Sequence, residues 1–524
     1  MRIPCCLLVL FTPVAVVGAA GGGPGPAGDL QTHEPPTFDP GTIDLGEREF
    51  RGDPDFGFTA ITSTGWTPPD PHMGVGPNHI VVVTNGAIGF FNKDGTKTFQ
   101  APIEGANGFW GSVGATNFVF DPEALYDELS GRFFAMAAEG RAAGRSFVLV
   151  AVSDDADPNG TWYKYRFETT AEAGDLFDSP NIGVDDRAVY VTGDGFGLGA
   201  NYPVYTFDKA ALLAGQPPVI RKKLLLPTTT QSAGIPPVSF DNPPALYMLE
   251  HAEGPNVNAV RFIALRDPLG TPFFTTYTLT VPTYGEPEDP PQQGSGVRPN
   301  TFDARFWSVA YRNGSLWATH HVDPTRVRAR WYEFAMKGWP ASGQDPSLVQ
   351  WGDLDLGPTV RTFFSAITVN AGGEMAVTAA RSSPTEYISM VTAWRYASDP
   401  AGTLRNPKIE IASNGPYNSA RWGDYAAVCA DPAAPAVFWA HHEYALNGAW
   451  RTWVAKVDAP LRLGDLNCDG VVNNFDIDPF VLALTDPAAY RMAYPKCNIL
   501  NGDCNSDGAV NNFDIDPFVK LLSP

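Results

Sequence analysis

Between residues 51 and 457 the apolar residues fall in short runs broken by Gly, Pro, Asp and Asn, with no sustained helical period. The runs predict strands at His79–Thr84, Ile88–Phe91, Phe133–Ala138, Ser146–Val152, Trp162–Phe167, Ala188–Thr192 and Tyr202–Phe207. The pattern continues through Ala245–Leu249, Phe262–Leu265, Phe273–Leu279, Phe306–Arg312, Ser315–His320, Arg330–Phe334 and Phe364–Val369. Met375–Ala380, Ile388–Arg395, Ala426–Ala430, Val437–His442 and Thr452–Val457 complete it.

These strands recur in units that begin near 72, 117, 178, 240, 303, 363 and 421. Each unit opens on a small residue or an Asp/Asn, as in Gly74–His79, Asn181–Asp186, Phe120-Asp121-Pro122 and Ala430-Asp431-Pro432. Asp-Pro and Gly-rich stretches suit tight corners between strands. The predicted fold is mainly β: a seven-bladed β-propeller over 51–457, with six or eight blades as alternatives. A strand around Phe58–Ser63 is placed to close the ring.

The texture changes at 461–524. Asp465-Leu466-Asn467-Cys468-Asp469-Gly470 recurs as Asp503-Cys504-Asn505-Ser506-Asp507-Gly508, and both copies run on to Asn-Asn-Phe-Asp-Ile-Asp-Pro-Phe-Val. Oxygen donors at loop positions 1, 3, 5, 9 and 12, with Gly at 6, form the donor layout of a calcium loop. The expected ligands are Asp465, Asn467, Asp469, Asn473 and Asp476 in the first loop, and Asp503, Asn505, Asp507, Asn511 and Asp514 in the second. The carbonyls of Val471 and Ala509 fill position 7, so two Ca2+ ions are expected. Each loop leads into an apolar helix face, Phe475, Ile477, Phe480, Val481 and Leu484 in the first, and Phe513, Ile515, Phe518, Val519 and Leu522 in the second. Asp478-Pro479 and Asp516-Pro517 suit helix starts.

On these residues the tail resembles a dockerin type I domain, a small α-helical module of two loop–helix halves. The resemblance implies calcium-dependent folding and a cohesin-like docking partner. Asn474-Phe475 and Asn512-Phe513 stand where the family often carries a small hydroxylated recognition pair, and the segment 485–502 is longer than usual.

Residues 1–20 read as an export signal: Arg2, an apolar run from Leu7 to Val17, then Gly18-Ala19-Ala20. Residues 21–50 read as a flexible Gly/Pro-rich lead-in. A secreted, extracellular or surface-associated protein follows. Cys429, Cys468, Cys497 and Cys504 remain after cleavage, and their spacing allows one disulfide without choosing the pair. The formal charge of −21 opposes a nucleic-acid or anionic-membrane partner.

No nucleophile elbow, zinc helix, phosphate loop or nicotinamide fingerprint is present. Three weaker patterns stand out. His320-His321 and His441-His442-Glu443 each end a strand, which would carry imidazoles to one propeller face. Arg421-Trp422-Gly423-Asp424, Arg305-Phe306-Trp307 and Arg361-Thr362-Phe363-Phe364 repeat an arginine beside an aromatic, suited to stacking a sugar or to locking blades. Asp121 with Glu123, Asp154 with Asp155, and Asp185 with Asp186 are available carboxylate pairs, and Tyr425 with Arg421, His320 and His442 would make a lyase set. The ligand-binding candidates are therefore Arg421, Trp422, Asp424, His320 and His442. Arg421, Trp422 and Asp424 also look like motifs of uncharacterised secreted bacterial propellers.

The expected function is a calcium-binding tether whose propeller binds carbohydrate or an extracellular protein; the alternative is a polysaccharide hydrolase or lyase. An enzyme requires carboxylates, or His and Arg, converging on a central cleft. A binding module requires an aromatic platform without a proton-transfer pair.

Overall fold

The strands of the large domain carry continuous apolar runs because both of their faces are covered. Val81, Val82 and Val83 are all buried, as are Val148 to Val152, so neither face of these strands meets water. The computed structural model describes residues 56–524 apart from 116–117, 142–144, 171–175, 197–201, 226–234, 324, 496 and 523–524. The export segment and the lead-in expected at 1–20 and 21–50 lie outside the described residues.

The architecture is mainly β and propeller-like, built of small antiparallel sheets in chain order. His72–Val75, His79–Thr84, Ala87–Asn92 and Lys97–Pro102 form one four-stranded sheet. Val119–Asp127, Arg132–Arg141, Arg145–Ser153 and Trp162–Glu168 form the next. Leu176–Val184, Ala188–Phe196, Tyr202–Asp208 and Ile220–Leu225 follow, then the three-stranded sheet Leu246–His251, Val257–Arg266 and Phe273–Tyr284. Phe306–Arg312 to Ser347–Asp353 and Arg361–Val369 to Arg405–Ile411 are two more four-stranded groups. The short strand Val238–Ser239 pairs in parallel with Val184 on one side and with Ala310 and Tyr311 on the other. It thereby joins two of these groups into one nine-stranded sheet. The last sheet combines Ala427–Ala430, Val437–Leu446 and Ala449–Asp458 with Gly57–Thr62, which pairs antiparallel to Ala449–Asp458.

The first strand of each group faces the middle of the molecule. His72, Ala124, Val238, Ser308, Ile367 and Ala427, each from a different strand, line one small cavity of about 70 Å³. The last strand of each group faces water; Lys97–Pro102 is almost wholly exposed.

Asp121-Pro122 does not form the corner expected of it. It lies inside Val119–Asp127, where the register slips between Phe120 and Glu123. Leu176–Val184 slips between Asp178 and Asn181, and Arg361–Val369 between Phe363 and Ala366. Asp121, Ser179 and Phe364 have φ of 49°, 48° and 46° at these bulges. Proline lacks the N–H that a ladder requires, so a bulge is where a strand tolerates it.

In the tail, helices span Ile477–Thr485, Pro487–Ala493 and Ile515–Leu522. The rings of Phe480 and Phe518 stack at 4.0 Å, pinning the two halves together. Phe475 and Phe513 are each 79% exposed, contrary to their expected place on the buried helix face. Both sit in a short 3-10 turn ahead of the helix, where the helical period does not yet apply. The disulfide joins Cys468 to Cys497 with Cα atoms 5.5 Å apart; Cys429 and Cys504 are free thiols.

The tail is docked against the turns of the sheet that runs from Arg361–Val369 to Arg405–Ile411. The Arg462 guanidinium lies 3.9 Å over the Tyr396 ring and 3.4 Å from the Asp399 carboxylate. Asn498 donates to the buried Glu374 carboxylate at 3.1 Å. The Arg462 backbone N–H donates to Asn501, whose amide donates to the carbonyl of Asp465. Arg462→Ala is expected to raise amide hydrogen exchange across 461–502 while leaving exchange in the 427–458 strands unchanged.

Candidate functional site

The bulges aim side chains that a regular strand would have turned into a neighbouring sheet. Asp70 has φ 48° between Pro69 and Pro71, immediately before His72–Val75. It occupies the position that Asp121 holds in Val119–Asp127; in Leu176–Val184 that position is Ser179, with Asp178 one residue before it. Asp303 and Arg305 precede Phe306–Arg312, and Asp424 and Tyr425 precede Ala427–Ala430.

Hydrogen bonds tie these residues into one cluster. The Asn85 side chain donates to Asp70 Oδ2 at 2.6 Å and accepts the Asp121 backbone N–H at 2.8 Å. Asp70 Oδ1 accepts the Asp424 backbone N–H at 2.7 Å. The Tyr425 hydroxyl donates toward Asp121 Oδ2 at 3.4 Å. Arg421 pairs with Asp424 through Nη2 and Oδ2. Arg305 forks the Asp303 carboxylate at 2.8 and 2.7 Å and reaches Asp194 at 4.0 Å. Asp70 and Tyr425 are buried, while Asp121, Asp178, Asp194, Asp424 and Arg421 are partly open to solvent.

Burial and mutual repulsion hold protons on these acids. Burial, then the neighbouring Asp424, raises Asp70 to about 7. Burial raises Asp194 to about 7, against the pull of Arg305. Asp121 is raised well above the carboxylate range by burial and by Asp70, Asp178 and Asp424. Asp178 and Asp424 are also raised by burial, but there Arg421 and Arg305 draw the carboxyl back toward the ionised form. Asp303, although buried, is held below its usual value by Arg305. Carboxyls of unlike proton affinity thus stand side by side.

Glu443 lies behind the cluster and is fully buried. Its Oε2 accepts the Gly423 N–H at 2.6 Å, and its Oε1 has no hydrogen-bond partner. Burial, then the neighbouring Asp70 and Asp424, raises it well above the carboxylate range. Phe302 and Trp307, half-buried against the core, lie beside the two arginines, and Trp307 stacks on His321 at 5.1 Å. Arg421 lies 5.1 Å from the Phe302 ring centre and Arg305 5.6 Å from that of Trp307.

Of the ligand-binding candidates, Arg421 and Asp424 stand in this cluster. Trp422 does not face a cleft; it is fully buried, edge-on to Tyr417 at 5.1 Å. The histidines are clamps on the backbone. His320 engages the Ala304 carbonyl at 2.9 Å and the Tyr332 hydroxyl at 3.2 Å. His442 donates from Nε2 to the Phe364 carbonyl at 3.0 Å, and His321 accepts the Phe364 N–H at Nδ1, also at 3.0 Å. Two neutral imidazoles thereby fix both polar groups of a left-handed residue. Burial depresses His321 and His442 to about 4, so both stay uncharged near neutrality. Arg361 pairs with Glu288, Asp185 with Arg187, and Asp154 accepts the Thr161 N–H in a surface turn.

Asp70, Asp178 and Asp194 escaped sequence reasoning. A signal was present: Asp70-Pro71, Asp121-Pro122 and Asp178-Ser179-Pro180 place an aspartate just before a proline at the head of three successive units.

No family model and no curated protein matches the chain. Solved structures with which it aligns include an exo-β-1,3-galactanase of Phanerochaete chrysosporium at 12% identity, covering 62% of this chain and 80% of that one, TM-score 0.30. An α-L-arabinofuranosidase of Clostridium thermocellum aligns at 15% identity over 55% of this chain and 93% of that one, TM-score 0.30. A Trypanosoma rangeli sialidase aligns at 13% over 71% of this chain and 56% of that one, TM-score 0.36. The chain therefore spans just over half of the sialidase. These findings correct the expected resemblance to a dockerin-bearing, uncharacterised secreted propeller: no family model matches, and the structural neighbours named are glycosidases. The expectation of a tether with a non-catalytic binding propeller is corrected with it. At TM-scores this low the alignments bear no weight for chemistry.

Burial raises Glu123, whose Oε2 accepts the Ile182 N–H at 2.9 Å, to about 8. A carboxyl raised in the folded state stabilises the fold fully below its unfolded value of about 4.3. That contribution is lost as pH rises through the folded value. Glu123→Gln keeps the acceptor and removes the proton. Chemical denaturation of this variant is expected to show a smaller loss of stability between pH 4 and 8 than the parent chain.

Proposed function

We propose that this protein is a glycoside hydrolase. The observation that carries the reading is the pairing of proton-holding carboxyls with guanidinium-supported ones in a partly open central cluster. Asp121, with Asp70 beside it, acts as the general acid that protonates the leaving oxygen. Asp178 or Asp424, drawn toward the ionised form by Arg421 and Arg305, meets the developing positive charge or activates water. Tyr425 and Asn85 hold Asp121 in place.

The fold reading that accompanies this is a ring of seven blades. Seven strand groups in chain order, a shared central cavity and the pairing of Gly57–Thr62 with Ala449–Asp458 support it. The apolar start of the chain and the Cys468–Cys497 bridge support export.

A second reading concerns 461–524, which we propose binds two calcium ions. The loops are bent as such a site requires: Gly470 and Gly508, at position 6, have φ of 93° and 92°. Asp465 Oδ1 is buried without a hydrogen-bond partner, an oxygen left for a ligand. The position-12 carboxylates Asp476 and Asp514 are fully buried and accept backbone N–H groups of their own loops. Among the described residues no group of three or more His, Cys, Asp or Glu is gathered to hold a metal. Each loop's proposed donors are three Asp carboxylates, two Asn side chains and one backbone carbonyl, the all-oxygen set that calcium takes.

Asp121→Asn is expected to cut kcat on a cleaved glycoside by about 100-fold to 10,000-fold while the melting temperature stays within a few degrees. A variant with full turnover would remove Asp121 from the acid role. For the tail, calcium at about 100 times its Kd should stabilise the module by about 2.7 kcal/mol. Asp465→Ala with Asp503→Ala should abolish that gain in a calcium-dependent thermal shift.

A further inference from the structure

The two loops of 461–524 are close copies in sequence, yet the chain wires them differently. Arg462 stands three positions before Asp465, whereas the matching place before Asp503 holds Leu500. Arg462 Nη1 lies 3.8 Å from Asp465 Oδ2. That oxygen also accepts the Gly470 N–H at 3.0 Å, and Oδ1 of the same carboxylate has no hydrogen-bond partner. In the second loop Asp503 turns both oxygens to its own backbone. Oδ1 accepts the Asp507 N–H at 2.9 Å, and Oδ2 accepts the Gly508 N–H at 2.8 Å.

The remaining contacts of the Arg462 guanidinium go to the large domain, in the turn 396–404. Nη2 lies 3.4 Å from Asp399 Oδ1, Nη1 lies 3.3 Å from the Ser398 hydroxyl, and the guanidinium centre lies 3.9 Å from that of the Tyr396 ring. The Tyr396 hydroxyl donates to the Pro460 carbonyl at 2.6 Å, beside the same arginine. One cation therefore stands between the first carboxylate of a loop and a turn of the large domain. The Arg462 side chain is 21% exposed and that of Asp465 3%, so little water screens the pair. A divalent cation drawn to Asp465 repels the guanidinium there and leaves Asp399 and Tyr396 as its favoured partners. Without that turn to rest on, the guanidinium falls back on Asp465 and competes for it.

We infer that calcium in the first loop tightens the hold of the tail on the turn 396–404 through Arg462, and that calcium in the second loop does not. The inference rests on the calcium reading for its ion. Linkage is reciprocal, so docking raises the calcium affinity of the first loop by the same factor.

The test titrates the full chain with Ca2+. Amide hydrogen exchange is read in peptides covering 396–404, which hold none of the proposed ligands, and ion binding is counted by calorimetry. Asp469→Ala disables the first loop and Asp507→Ala the second; both aspartates are exposed. The expected result is exchange at 396–404 slowed about fivefold or more by calcium in the parent and in Asp507→Ala, and unchanged in Asp469→Ala. Arg462→Leu, which copies the second loop, should still bind two ions while exchange at 396–404 no longer responds to them. Exchange at 396–404 that ignores calcium while the parent binds two ions would overturn the inference and leave the calcium reading standing. So would equal slowing in Asp469→Ala and Asp507→Ala, or a response of Arg462→Leu like that of the parent. Calorimetry that detects no binding to the parent would overturn both.

Discussion

The innermost strands of this molecule are interrupted at equivalent positions, and most of what the protein can do depends on that interruption. Asp70, Asp121, Ser179 and Phe364 all adopt left-handed backbone without being glycine. Each costs on the order of 1 kcal/mol that an unbroken strand would not spend. The surroundings hold them there. Asn85 grips the Asp70 carboxylate and the Asp121 N–H, Glu123 takes the Ile182 N–H just beyond Ser179, and His321 with His442 takes both polar groups of Phe364. The strain turns three aspartates toward a common place, where alternation along a regular strand would have dispersed them between faces.

Crowding then sets the chemistry. In a low-dielectric interior, neighbouring carboxyls cannot all ionise, so protons stay on some of them at pH values where free aspartate has none. Arg305 and Arg421 break the equivalence: Asp303 is pulled down by its guanidinium partner, while burial and three neighbouring aspartates push Asp121 up. Acid and conjugate base come from one residue type, sorted by position. His320, His321 and His442, of the residue type most often tuned for such work, are kept neutral by burial and serve the backbone instead.

Much of the fold was legible in the sequence, and the reason is covering. Strands sheltered on both faces, such as His79–Thr84 and Phe306–Arg312, announce themselves as apolar runs and occur where those runs stand. The outer strands Lys97–Pro102, Ile220–Leu225, Ser347–Asp353 and Arg405–Ile411 were missed because one or both faces meet water and their residues are mixed. Val119–Asp127 and Leu176–Val184 were missed for the opposite reason. They are buried and central, but Asp121-Pro122 and Ser179-Pro180 break the pattern, and a break reads as a turn. The site was hidden by the feature that makes it. Arg421, Asp424 and Tyr425 could be singled out because they lie outside a strand; Asp70, Asp178 and Asp194 could not, since in an acidic chain single aspartates carry no signal without their neighbours.

A structural scaffold would have no reason to keep this arrangement. Buried carboxyls without full hydrogen bonding are costly, and apolar residues of similar size are commonly as stable or better in such places. The same molecule shows how easily it satisfies charge elsewhere: Lys93 sits on Asp431 at 2.6 Å, Arg405 forks Asp399, and Arg326 forks Asp355. Near the centre the pairing stops short. Glu443 keeps an empty oxygen and Asp424 keeps another. Several local rules are broken together here, with backbone strain added, while others are broken singly elsewhere, as at His251, Arg395 and Glu386. Such concentration of unfavourable choices is what selection for a ligand leaves behind, because stability alone would have removed each of them separately.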